Sequence, residues 1–125
     1  MQSATGMALT HPHDWLLEPL AEDPGFIRRA MFGCLAVYFR GRLVLVLAAK
    51  EAPWAGALIP VERDQHSSIQ HDFPMLSPHP VLGKWLYLPE THDDFESIAM
   101  DLVERIRSCD PRFGVIPPLI KRKGR

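Results

Sequence analysis

The chain has 125 residues, 46% of them apolar and 23% charged, with a formal net charge of -1. That length and apolar content make one domain with a buried core and exclude compositional disorder, and the near-neutral balance excludes the strongly basic body of a dedicated nucleic-acid binder. Two widely separated cysteines, Cys34 and Cys109, exclude a disulfide framework and are expected as reduced thiols acting as small apolar residues.

In chain order, residues 1–10 show neither a basic n-region nor an apolar h-region, so no secretory leader is expected there. Asp14 is placed to cap a single turn carrying Trp15, Leu16 and Leu17, which Pro19 ends or kinks. The next segment, Glu22 to Gly33, reads as a helix of about two turns, with Asp23 at N-cap, Pro24 at N1 and Gly33 as the stop. Two β-rich runs follow, Cys34–Phe39 and Leu43–Ala48, joined by Arg40-Gly41-Arg42. This predicts a β-hairpin with glycine supplying a positive φ. Both of its faces are apolar, so these strands are expected to be covered on both sides, or covered on one and used as an interface on the other.

A short strand is predicted over Ala57–Val61, with Pro60 near its end, and a short helix over Arg63–Phe73, capped by Asp64 and turning Ile69 and Phe73 inward. The stiff Ser77-Pro78-His79-Pro80 segment leads into a fourth predicted strand, Lys84–Leu88. Alternation there puts Trp85 and Tyr87 on one face and Lys84, Leu86 and Leu88 on the other. Trp85 is expected to be mostly buried, and His79 and Lys84 to be reachable by solvent. The clearest element is a helix beginning near Thr91, with Phe95, Ile98, Ala99, Leu102, Val103 and Ile106 forming one apolar stripe. Thr91 and Asp94 resemble a capping box, and Pro111 stops the helix. The order of elements predicts an α+β fold: an antiparallel sheet of about four to five strands, with a short N-terminal helix and a long C-terminal helix packed on one face. One domain spanning 1–125 is expected, with flexible ends at 1–10 and 117–125.

Candidate chemistry is sparse. Six histidines and neighbouring aspartates supply ligand types, but His66 and His71 are five apart and point roughly 140° from each other on a helix. No metal site and no cofactor is expected. Cys34 sits inside an apolar run, and Cys109 lies at a helix C-terminus, where the dipole disfavours a thiolate. Neither a G-x-S-x-G motif nor a glycine-rich phosphate loop is present. The basic stretch Lys121, Arg122, Lys123 and Arg125 is a modest patch without interleaved aromatics, so it reads as a solvated tail more than a nucleic-acid contact. The remaining candidates are Trp54, Arg63, His79 and Lys84, as the lining of a ligand pocket beside the sheet edge. A lysine on an otherwise apolar strand face asks for a partner, and prolines on both sides display His79 on a stiff backbone.

Met31-Phe32-Gly33 and Gly41, in the run Ala30 to Ala48, resemble the N-terminal domain of the TfoX competence regulators and their stand-alone relatives. Tyr87-Leu88-Pro89-Glu90 ahead of a helix is a second likeness. Together these cover about a third of the chain, and the segment holding Trp54 and His79 to Trp85 departs from the family pattern. The resemblance implies a YgaC-like antiparallel sheet with flanking helices, a short helix running into Met-Phe-Gly, and a regulatory or protein-binding role with no catalytic residues. The expectation is therefore a small cytoplasmic, non-enzymatic regulatory or protein-binding domain, adaptor- or chaperone-like, with a protein partner or a second copy as its ligand and no contact with a membrane. The alternative is a small-ligand-binding protein or small enzyme with its site near His79 and Lys84.

Overall fold

The computed structural model describes residues 13–31, 34–48 and 55–116. A 3-10 turn over Asp14–Leu17 runs straight into helix α1, Glu18–Ala21, with Pro19 in its first turn, where a missing N–H costs nothing. Strands β1 (Phe26–Met31), β2 (Cys34–Phe39), β3 (Arg42–Ala48) and β4 (Gly56–Ile59) follow. Next come a 3-10 turn over Arg63–Gln65, helix α2 (His66–Asp72), strands β5 (Ser77–Pro78) and β6 (Leu86–Pro89), and helix α3 (Phe95–Arg107). All strand pairs are antiparallel, and the sheet order is β1-β2-β3-β4-β6-β5. The fold is α+β, with six strands where the sequence suggested four or five. Among the described residues, no helix is long and apolar enough to cross a membrane.

The predicted helix over Glu22–Gly33 is corrected to a turn and a strand. Asp23 does accept a backbone N–H through its side chain, but from Gly25 at 2.8 Å, and its carbonyl accepts the N–H of Phe26. That closes a turn instead of opening a helix, and Phe26–Met31 then pairs along the whole of β2, from Phe26 with Phe39 to Met31 with Cys34. Cross-strand pairing supplies a backbone partner and a packed neighbour at each step, which outweighs the weak local preference of a glycine-containing helix.

The β2–β3 hairpin turns at Arg40 (φ 53°) and Gly41 (φ 86°), with Phe39 paired to Arg42. Positive φ at both central residues is the type I′ geometry whose twist matches the flanking strands. Val44 has no cross-strand partner, lying between the Val37–Leu45 and Tyr38–Leu43 pairs, so a bulge interrupts the alternation. This is why Val44 and Leu45 both join the same core.

The core on one face of the sheet combines Leu35, Val37, Leu45, Leu47, Ile59, Leu86 and Leu88 with Leu16, Leu17 and Leu20 from the N-terminal turns, Ile69 of α2, and the stripe of α3. All six stripe residues of α3 are buried, each contributing roughly 1.5–3 kcal/mol if large and apolar. The proposed Thr91–Asp94 capping box does not form: Asp94 is the N-cap residue but makes no side-chain cap, and its own N–H is accepted by His92 Nδ1. Nor does Asp64 cap α2. The opposite face carries a smaller cluster of Ala36, Leu43, Val46, Leu58 and Tyr87, against which Leu82, Trp85 and Val115 pack. Both faces of the hairpin are thus buried within the chain, so its two-sided apolar character does not by itself call for a second copy.

At its C-terminal end α3 closes with paired bonds, Cys109 N–H to Ile106 O and Asp110 N–H to Arg105 O, with Cys109 at φ 61°. This is the Schellman arrangement with cysteine where glycine is usual. The chain then returns to the sheet, where Val115 bridges Leu43.

Candidate functional site

Of the four residues expected to line a pocket, Trp54 lies outside the described residues. The other three do not converge. Arg63 is exposed at the start of its 3-10 turn. Lys84 is exposed in a turn, because β6 starts at Leu86 and not at Lys84, so it shares no strand face with Leu86 and Leu88. Its carbonyl is held by His66 Nε2 at 2.8 Å; a carbonyl only accepts, so His66 donates.

His79 reverses the expectation of solvent access: it is 1% exposed. Its Nδ1 accepts the backbone N–H groups of Val81 and Leu82, each at 3.0 Å, which places its proton on Nε2. Its own N–H donates to Trp85 O at 2.9 Å. The imidazole therefore organises the β5–β6 connection from inside. Two prolines fix the backbone around it, but the side chain turns inward to meet donors that a tight loop cannot pair with each other. Trp85 is more buried than exposed, as expected, and lies with Tyr87 on the second face, where it and Leu82 cover Tyr87 and its neighbours.

Other polar clusters hold the fold together. Asp72 and Asp110 bind Arg112 at 3.0 and 2.8 Å, and Arg105 reaches both carboxylates, at 3.1 and 3.7 Å. Arg112 also donates to the carbonyl and hydroxyl of Ser68. The network ties α2 to the end of α3. Hydrogen bonds from Arg105 and then Arg112 hold the Asp72 carboxyl below its ordinary range, and Arg112 does the same for Asp110.

Among the described residues, three clefts stand out elsewhere on the surface. One, of about 160 Å³, sits under the β2–β3 turn between Arg40, Arg42 and Cys109. Arg40 Nη1 lies 3.6 Å from the Cys109 sulfur, but Arg40 is ion-paired with Asp23, and Arg42 donates to the carbonyls of Pro111 and Phe113. Both guanidiniums are thus committed to holding the chain, leaving an exposed thiol at the mouth. The second, of about 420 Å³, surrounds the start of α3. Its histidines are engaged: His13 Nε2 contacts Glu90 Oε1 at 3.1 Å, and His92 binds Asp94. Among the described residues, no group of three or more His, Cys, Asp or Glu is arranged to hold a metal ion.

The third cleft, of about 310 Å³, runs between α1 and α3. Its floor is Trp15, Pro19, Met100 and Val103, and its rim carries Glu18 and Glu104. Trp15 is 38% exposed and Met100 53% exposed. The 3-10 turn buries Leu16 and Leu17, which leaves Trp15 turned outward. On α3, Met100 falls outside the buried stripe and faces the solvent. Two large apolar side chains that the core does not need therefore stand in one groove. The sequence placed Trp15 on a short turn and Met100 within the long predicted helix, but it singled out neither, because the groove exists only once α1 and α3 lie side by side.

No family model, curated protein or solved structure matches this chain.

Proposed function

We propose that this chain is a protein-binding domain of a regulatory or adaptor type, without catalysis of its own, and that it docks its partner in the α1–α3 groove. The observation that carries this reading is Trp15 and Met100 exposed in the same groove, with Pro19 and Val103 completing an apolar floor. Tryptophan dominates interface energetics, and methionine adapts its shape to what it meets. Apolar surface gathered in a groove with a polar rim marks recognition, whereas scattered exposed residues do not. The volume is at the lower end of the roughly 300–1,000 Å³ of small-molecule sites, which suits one or two anchoring side chains better than a cofactor. The resemblance to TfoX N-terminal domains implies a regulatory role as well, although the short helix it implies ahead of Met31 is a strand in this chain.

A displayed library of random peptides selected on the folded protein tests this. The expected binders compete with one another and lose affinity for both Trp15→Ala and Met100→Ala. Binders that are indifferent to both substitutions would remove the groove from consideration.

A further inference from the structure

The charges around the groove are one-sided. Glu18 and Glu104 line it. Glu22 follows Glu18 at the end of α1, and Glu96 precedes Met100 by one turn of α3; both are exposed. Arg107 binds Glu104 through both oxygens, at 3.0 and 2.6 Å, and Arg28 is taken up by Asp14, next to Trp15, at 3.2 Å. That leaves Glu18, Glu22 and Glu96 without a described cationic partner. An apolar floor with Glu18 and Glu104 on its rim, and Glu22 and Glu96 exposed on the flanking turns of α1 and α3, repels an acidic segment and attracts one that carries cations beside its anchor.

Resting on the docking reading above, we infer that the occupant is a cation-rich segment of a partner protein, with one or two bulky apolar side chains seated between Trp15 and Met100 and lysine or arginine side chains reaching the glutamates. The floor extends along α3 from Met100 to Val103, about one helical turn. One or two apolar side chains therefore fill it, and the cations on either side meet the rim. Lysine and arginine suit such a rim because their long stems lie along apolar surface while the charged ends reach outward. The same arrangement rejects acidic competitors by like-charge contact, so selectivity comes from repulsion as much as from attraction.

The test uses three fluorescein-labelled peptides on the full chain, read by anisotropy. The first carries leucine and lysine at helical spacing, the second has glutamate in place of lysine, and the third has serine in place of leucine. The leucine–lysine peptide is expected to bind about tenfold or more tightly than either control, and to lose about tenfold on Trp15→Ala. A protein with Glu18→Lys and Glu22→Lys should narrow or reverse the preference over the leucine–glutamate peptide. If both leucine peptides bind equally and both are lost on Trp15→Ala, the groove docks a segment but the charge inference is wrong. Serine–lysine binding as tight as leucine–lysine reduces the effect to bulk attraction and also overturns it. If no peptide responds to Trp15→Ala, the docking reading falls with it. A chain that self-associates in light scattering and is dissociated by the leucine–lysine peptide has a second copy in its groove, which overturns a foreign partner.

Discussion

His79 meets the ring of Tyr87 edge-on, with centroids 5.0 Å apart and planes at 78°. The contact joins the start of the β5–β6 connection to the second face of the sheet, and Tyr87 is fastened in turn by its hydroxyl, which donates to Ala55 O at 2.6 Å. An imidazole in this position is an internal brace. His79→Ala is expected to cost about 2–3 kcal/mol, because the N–H groups of Val81 and Leu82 lose their acceptor and a small void opens. His79→Asn should cost about half as much, since a side-chain oxygen can still accept the N–H two residues on. Lys84→Ala, in the same loop but exposed, should stay within about 0.5 kcal/mol. Urea denaturation of the three variants checks the ranking, and equal losses for His79→Ala and Lys84→Ala would contradict it.

Gly56 and Gly41 both have positive φ, at 130° and 86°, but their surroundings differ. A Cβ on Gly56 would come within 2.3 Å of Leu88 O and 2.7 Å of Glu90 N, both main-chain atoms, whereas one on Gly41 meets nothing within 4 Å. Gly41→Ala should cost about 1–2 kcal/mol, from backbone strain alone. Gly56→Ala adds steric separation of β4 from β6 and should cost about 3 kcal/mol or more. Thermal melts of the two proteins, side by side, test this difference.

The Asp110–Arg112 pair predicts an acid-side effect. The folded carboxyl titrates below its unfolded value, chiefly because Arg112 hydrogen-bonds it. The unfolded chain therefore binds the proton more readily, and the stabilisation is present above the unfolded value of about 4 and lost as the pH falls through the lower folded value. Asp110→Asn should lower the melting temperature at pH 7 and flatten its decline below about pH 4, with the two curves converging at low pH. Parallel curves across the range would show that the pair contributes no linkage.

The two thiols should separate by access. Cys109 is exposed and Cys34 half-buried against the second face. In the folded protein a disulfide reagent should label Cys109 first, and Cys109→Ser should remove the fast phase. A fast phase that survives in that variant would place Cys34 at the surface.

The β2–β3 hairpin and α3 were legible in the sequence because local signals agreed: dense β-formers around Arg40-Gly41 in one case, a full apolar stripe with an acidic start and a basic end in the other. β1 was not. Asp23-Pro24 opens a helix and closes a turn with equal plausibility, and six residues containing two arginines are too few to separate a period of 3.6 from a period of 2. Only pairing with β2 decides. His79 was misread for a related reason: its flanking prolines report the backbone, whereas the direction of the ring depends on donors two and three residues away that are unpaired only once the loop has formed. Among the candidates for a site, Lys84 was legible as reachable by solvent, but Arg63 was expected to line a pocket and stands exposed instead, and the groove needed α1 and α3 placed side by side, which no local pattern encodes.

The sheet order has β6 seated between β4 and β5, although β5 is made first. During synthesis β4 therefore waits. Its four residues, Gly-Ala-Leu-Ile, are wholly buried in the finished protein, and one side of the strand stays unpaired until residues 86–89 have left the ribosome. A nascent chain paused after β4 has emerged from the ribosome and before β6 has would present an uncharged apolar strand edge to its neighbours on the same message. A pause at that stage leaves open an edge that the mature fold keeps covered.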